Sequence, residues 1–126
     1  MEKKEKKDLG VLIIEDEYLV ADFLSAVLRR SGFNPDWAAS EEEGLELVSQ
    51  KKFDIIVSDT YCANIPYGPR IVSRAKEISK VRVVATSGAA NGIEEWKGLE
   101  IDYFIRKPVS PKALMVIMDS LYESLK

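Results

Sequence analysis

Four segments of this 126-residue chain place reactive groups directly after an apolar run: Glu15-Asp16-Glu17, Asp59, Thr86-Ser87-Gly88 and Arg106-Lys107-Pro108. Together they offer carboxylates, a hydroxyl and an ammonium. Clustered carboxylates repel one another unless a cation sits between them. A hard divalent ion such as Mg²⁺ takes oxygen ligands and keeps part of its water. An aspartate can be the nucleophile of a phosphoryl transfer that forms an aspartyl phosphate. A divalent ion and Lys107 would neutralise the charge on the transferred group. The Ser87 hydroxyl would bond a phosphoryl oxygen, and Gly88 would leave the approach open. Taken singly, each segment is weak, because acids after a strand are commonly solvated turn residues and Lys-Pro is often only a turn. Their joint occurrence in this order is far more specific.

The elements that would position these groups can be read from the apolar pattern. Leu9 to Ile14, Phe53 to Ser58, Val81 to Ala85 and Ile101 to Ile105 are short apolar runs that read as buried strands, and Asn34 to Ala39 is a weaker fifth. Between the first two strands, Leu19, Phe23 and Val27 fall on one helical stripe with Val20, Leu24 and Leu28 beside it, and Gly32 suits the stop. Ser40 and Glu43 form a capping box that opens a second helix running to about Gln50. Ile71, Val72, Ala75 and Ile78 mark a third helix. Ser110-Pro111 starts a last helix carried by Leu114, Ile117, Met118, Leu121 and Leu125. Three glycines interrupt Ser87 to Ile101, so the helix there is expected to be short or irregular, near Gly92 to Lys97. Strand and helix alternate five times, which implies a doubly wound α/β fold with a five-stranded parallel sheet and right-handed crossovers. In such a sheet, ligands bind beyond the carboxyl ends of the strands. Those ends are where the four segments fall.

Composition removes other functions. The chain has no histidine, which excludes a Ser-His-Asp triad, a Cys-His pair, an imidazole metal site and a phosphohistidine carrier. Its single cysteine, Cys62, allows no internal disulfide and reads as an ordinary reduced thiol in a reducing, cytoplasmic setting. The net charge of −3 gives no reason to expect nucleic acid or an anionic membrane as a partner. Met1 to Asp8 mixes lysines with acids and reads as a flexible charged tail.

From Leu9 to Lys126 the chain resembles the receiver domains of two-component signalling. The carrying motifs are Val11 to Glu17 (VLIIEDE), Phe53 to Asp59 (FDIIVSD), Val83 to Gly88 (VVATSG) and Tyr103 to Pro108 (YFIRKP). The resemblance implies a (βα)5 flavodoxin-like fold with strand order 2-1-3-4-5. It implies that Glu15 and Asp16 are the acidic pair at Mg²⁺, with Asp16 the direct ligand, and that the backbone carbonyl of Tyr61 is another ligand. Asp59 would be the phosphoacceptor, Ser87 rather than Thr86 the switch hydroxyl, and Lys107 the phosphate-pairing lysine. The resemblance allows a cis bond between Lys107 and Pro108. Phe104 stands where the family often has an aromatic that turns inward on activation; a plain packing role is an equal alternative. Tyr61 and Ala89 lie where the family tunes the lifetime of the phosphorylated form.

Two departures stand out. After Asp59 the family usually shows Met-Pro and then a glycine, whereas this chain has Cys62-Ala63 and its glycine, Gly68, one residue late. The stretch from Ser87 to Lys107 is also short. The implied function is phosphoryl transfer from a sensor histidine kinase or a histidine phosphotransfer protein to Asp59. The face built from the fourth helix, the last strand and the last helix would then change shape for a downstream protein or a homodimer, or the domain would act as a phosphorelay intermediate. No turnover enzyme is expected: hydrolases of the aspartate-nucleophile class usually carry an acid two residues after the nucleophile, where this chain has Tyr61. The competing reading is a non-phosphorylated pseudo-receiver that works as an adaptor through protein contact.

Overall fold

The computed structural model describes residues 4–125. Five strands, β1 (Val11–Ile14), β2 (Pro35–Ala38), β3 (Ile55–Asp59), β4 (Arg82–Ser87) and β5 (Tyr103–Arg106), form one parallel sheet in the order β2-β1-β3-β4-β5. Four α-helices connect or follow them: α1 (Tyr18–Arg30), α2 (Glu41–Gln50), α3 (Tyr67–Ile78) and α4 (Pro111–Ser124). The fold class and strand order match the sequence expectation. The fourth crossover holds a five-residue 3-10 segment, Gly92–Trp96, in place of an α-helix. Strand limits move by at most two residues, so that Asp59 and Ser87 end β3 and β4 rather than following them.

Alternate strand residues separate into two apolar layers. Val11, Ile13, Ile55, Val57 and Val84 pack with Leu24, Val27 and Leu28 of α1 and Leu114, Met118 and Leu121 of α4. Leu12, Ile14, Ile56, Val83 and Ala85 pack on the other side with Val48 of α2, Ile71, Val72 and Ala75 of α3, and Trp96. The central strands are buried on both faces, which is why they read as continuous apolar runs.

Local signals account for the helix limits. Ser40 Oγ accepts from Glu43 N at 3.1 Å, while Glu43 reaches back to Ala39 N at the same distance. Ser110 Oγ accepts from Ala113 N, and Pro111 takes the first helical position. Gly32, at φ +100°, ends α1.

The two apolar stripes of α1 divide unevenly: Leu19 is 78% exposed and Phe23 39%, while Ala21, Leu24, Val27 and Leu28 turn inward. At the N-terminus, Met1 to Lys3 of the expected tail lie outside the described residues. Lys6–Asp8 forms a 3-10 turn in which Lys6 Nζ pairs with Asp119 at 2.7 Å, over the rings of Phe33 and Tyr122. No helix among the described residues is long and apolar enough to cross a membrane.

Candidate functional site

The carboxyl ends of β1, β3, β4 and β5 converge on a cavity of about 670 Å³ lined by Asp16, Asp59, Tyr61, Ser87, Gly88 and Lys107, among others. Each strand delivers its group through its last turn of extended backbone, so the parallel topology brings together residues up to 92 positions apart.

Lys107 is the centre of the arrangement. Its Nζ lies 2.8 Å from Glu15 Oε1 and 3.2 Å from Asp59 Oδ1. Lys107 follows β5 and precedes a cis bond to Pro108. Its amide donates to the Ser87 carbonyl at 2.9 Å, which ties the lysine to the end of β4.

Glu15 is fully buried. Its second oxygen accepts from Glu17 N at 3.2 Å, so both carboxylate oxygens are engaged. Asp16 beside it is exposed. Carboxylate oxygens of Glu15, Asp16 and Asp59 all lie within 4.8 Å of one another.

Burial pushes the Glu15 carboxyl above the ordinary glutamate value; the Asp59 charge adds to this and Lys107 opposes it. Burial raises Asp59 as well, against the pull of Lys107 and of Thr60 N, which donates to Asp59 Oδ1 at 2.9 Å. For Lys107, burial works against the ammonium, but its bond to Glu15 and the charges of Asp59 and Glu15 outweigh this and hold it above the usual lysine value. One lysine therefore does not fully compensate the carboxylates. A hard, oxygen-ligated divalent cation fits that donor set, with Asp16 and Asp59 as the side chains placed to hold it.

The structure brings together Glu15, Asp16, Asp59, Ser87 and Lys107 as the sequence suggested. Ser87 is buried, lines the cavity and accepts from Ala89 N at 3.1 Å. Thr86 does not line the cavity, and its hydroxyl is buried without a hydrogen-bond partner among the described residues. Tyr61 lines the cavity and turns its hydroxyl to Glu95 at 2.7 Å, a bond that raises the phenol's pKa. Phe104 is half-buried against the layer that holds Trp96.

The loop after Asp59 closes in an unexpected way. Cys62 and Ile65 exchange backbone hydrogen bonds, both at 2.9 Å, around a two-residue turn in which Ala63 and Asn64 have φ of +49° and +68°. The offset Gly68 packs directly on the Asp59 carbonyl, where a Cβ would collide. Cys62 is half-buried, and burial followed by its bond to Asp16 pushes the thiol's pKa up, consistent with an inert thiol.

Sequence reasoning missed three residues. Tyr67 OH approaches Asp59 Oδ2 at 3.4 Å. Burial and then the Asp59 charge push its pKa far up, so it stays a neutral donor. Thr60 and Trp96 form a hydrogen-bonded chain behind the acceptor, with Trp96 Nε1 donating to Thr60 Oγ1 at 3.0 Å. Only Thr60, a hydroxyl next to Asp59, left any sign in the sequence.

Residues 11–119 match the family described as "Response regulator receiver domain". Among curated relatives, the uncharacterized transcriptional regulatory protein YbdJ of Bacillus subtilis is 26% identical over 93% of this chain and 52% of its own length. The transcriptional regulatory protein AfsQ1 of Streptomyces coelicolor is 29% identical over 83% of this chain and 47% of its own. The chain thus spans about half the length of these relatives. A CheY-like receiver domain from Methylobacillus flagellatus superposes with TM-score 0.77 at 25% identity, covering 90% of this chain and 98% of that one. Another from Methanospirillum hungatei gives 0.82 at 20% identity, covering 94% and 97%.

Proposed function

The chain belongs to the response-regulator receiver-domain family, and from that premise we propose that Asp59 accepts a phosphoryl group from a phosphohistidine of a sensor histidine kinase or histidine phosphotransfer protein. A carboxylate oxygen of Asp59 forms the new bond to phosphorus as the bond to the donor imidazole breaks. Asp16, Asp59 and the backbone carbonyl of Tyr61 would hold Mg²⁺, with Glu15 behind them. When bound, the ion supplies positive charge against the phosphoryl oxygens. Lys107 orients Asp59 and neutralises charge as it transfers to the phosphoryl group. The exposed Leu19 and Phe23 line an apolar groove of about 520 Å³ with Pro108 and Val109 beside Lys107, a natural seat for the donor protein.

The single observation that carries this reading is Lys107 bridging Glu15 and Asp59 across the ends of three strands. After transfer, the Ser87 hydroxyl would leave Ala89 N for a phosphoryl oxygen and Phe104 would follow. That would reshape the face of the 3-10 segment, β5 and α4, a two-state change driven by local charge. The regulatory roles in the relatives' names belong to proteins about twice as long. They carry over only as the proposal that this receiver governs an output through a downstream protein or a homodimer, or passes the group on in a relay. A cytoplasmic location, no contact of its own with nucleic acid or membrane, and no turnover beyond self-phosphorylation and self-dephosphorylation belong to the same proposal.

The test is intact mass after incubation with acetyl phosphate and Mg²⁺. One phosphoryl adduct on the wild type, absent from Asp59→Asn, is the expected result. No adduct, together with no Mg²⁺ binding, would overturn the proposal in favour of a pseudo-receiver adaptor.

A further inference from the structure

The Gly92–Trp96 segment is mostly solvated: Ile93 is 51% exposed, and Glu94 and Glu95 are exposed. Only its two ends are buried. At one end Gly92 packs on the Ser87 side chain, closely enough that a Cβ would collide with the hydroxyl. At the other end the Trp96 indole N–H donates to Thr60 Oγ1 at 3.0 Å. Both ends therefore sit on residues that flank the acceptor: Ser87 ends β4 beside the cavity, and Thr60 follows Asp59 directly.

Thr60 is fully buried, and its hydroxyl is used twice. It accepts from Trp96 and donates to the Thr86 carbonyl at 2.8 Å. Turning that side chain would break both bonds at once. The Thr60 amide is held with it and donates to Asp59 Oδ1 at 2.9 Å. Thr86 pairs in register with Asp59, yet its own hydroxyl has no partner among the described residues. A buried hydrogen-bonded line from the acceptor to the segment runs through Thr60, beside the exposed bond from Tyr61 OH to Glu95 at 2.7 Å. In a dry interior such aligned donors reinforce one another.

We propose that Trp96 is a positioning residue for Asp59, holding the acceptor carboxylate through Thr60 and tying the exposed Gly92–Trp96 segment to the state of that carboxylate. The inference rests on the proposed phosphorylation of Asp59 and names its regulation. Forming the acyl phosphate withdraws negative charge from the carboxylate, Oδ1 that accepts from Thr60 N included, which weakens that bond. Ser87 moving toward the phosphoryl group leaves Gly92. Both end anchors loosen together, and the strip Ile93-Glu94-Glu95, still joined to the loop after Asp59 by Tyr61 OH on Glu95 at 2.7 Å, gains freedom to take a partner's shape.

Amide hydrogen exchange read by mass spectrometry over residues 92–96, with and without acetyl phosphate and Mg²⁺, tests this on the wild type, Thr60→Val, Thr60→Ser and Trp96→Phe. Intact mass scores the adduct in each sample. In the wild type the adduct should speed exchange of the segment about tenfold, the equivalent of one lost buried hydrogen bond. Thr60→Val and Trp96→Phe should show the fast exchange before phosphorylation, with the adduct adding less than about twofold, and Thr60→Ser should restore the wild-type response. Adduct formation at saturating Mg²⁺ should slow several-fold in Thr60→Val and Trp96→Phe, with the Mg²⁺ Kd held within about twofold. A purely structural Trp96 would instead speed exchange throughout the sheet and keep the full tenfold response, which overturns the proposal. A wild type that takes no adduct would overturn the phosphoacceptor reading itself. An adduct with an unaltered response in Thr60→Val overturns this inference alone.

Discussion

Replacing Lys107 by Met keeps most of the side-chain volume and removes the charge that two buried carboxylates share. Breaking a buried ion pair costs about 3–5 kcal/mol because the remaining charge is left uncompensated. The Lys107 side chain is 24% exposed, so solvent screens part of the interaction, and about 2–4 kcal/mol at pH 7.5 in EDTA is the expected loss. For a chain of this length that is a fall in Tm of roughly 8–15 °C. The sign of the pH dependence follows from Glu15 and Asp59. Both are raised above their ordinary values by burial, and removing Lys107, which lowers both, raises them further. A raised carboxyl contributes stability that is present below its unfolded pKa and is lost as pH rises through its folded pKa. The deficit of the variant should therefore be smaller at pH 5 than at pH 7.5. Added Mg²⁺ should recover more stability in Lys107→Met than it adds to the wild type, since the ion supplies charge the variant lacks. Thermal melts of both proteins at the two pH values, with and without Mg²⁺, measure all of this. A loss of the same size at both pH values and indifferent to Mg²⁺ would refute the electrostatic account and reduce Lys107 to a packing residue.

Asp16→Asn should leave the melting temperature in EDTA within about 2 °C of wild type, because Asp16 is exposed, and should abolish stabilisation by Mg²⁺ in the same melts. Gly68→Ala forces a Cβ onto the Asp59 carbonyl; it should cost about 1–3 kcal/mol in urea unfolding and slow adduct formation with acetyl phosphate. Ala63→Gly relieves a left-handed alanine at φ +49° and should stabilise the protein by about 0.5 kcal/mol, read as a higher urea midpoint at unchanged m.

Much of the fold was legible because one physical constraint repeats along the chain. A strand covered on both faces must be apolar throughout, and the residue that ends it must be polar if it meets solvent at the sheet edge. That rule locates the segments Glu15-Asp16-Glu17, Asp59, Thr86-Ser87-Gly88 and Arg106-Lys107-Pro108, the family resemblance singles out Asp16, Ser87 and Lys107 within them, and the topology brings them together without any spacing rule between them. Helix caps are equally local, so Ser40 with Glu43 and Ser110 with Pro111 carried their own evidence. The face that α1 turns inward was not legible, because Leu19–Phe23–Val27 and Val20–Leu24–Leu28 are adjacent stripes of similar hydrophobicity. The sheet and α4 bury Leu24, Val27 and Leu28 across both stripes, and Leu19, Val20 and Phe23 are left to line the groove beside Lys107.

The tight turn after Asp59 was hidden for a different reason. Positive φ is usually announced by glycine, and here Ala63 and Asn64 adopt it. The support of the acceptor was hidden most completely. Tyr67 and Thr60 bond the acceptor directly and Trp96 bonds Thr60 from 36 residues away, through isolated hydrogen bonds that leave no periodic trace in sequence. The division within the acidic pair is of the same kind. The apolar pattern alone does not separate Glu15 from Asp16, which the family resemblance made the direct ligand, yet adjacent residues leaving a strand point opposite ways. One is drawn inside, with both oxygens engaged by Lys107 and Glu17 N, and the other is left at the mouth. The buried member fixes the lysine and the exposed member stands at the mouth where an ion would bind, so the two acids are not interchangeable. Swapping them in the double variant Glu15→Asp/Asp16→Glu should weaken both the Lys107 bridge and Mg²⁺ binding while leaving the total charge the same.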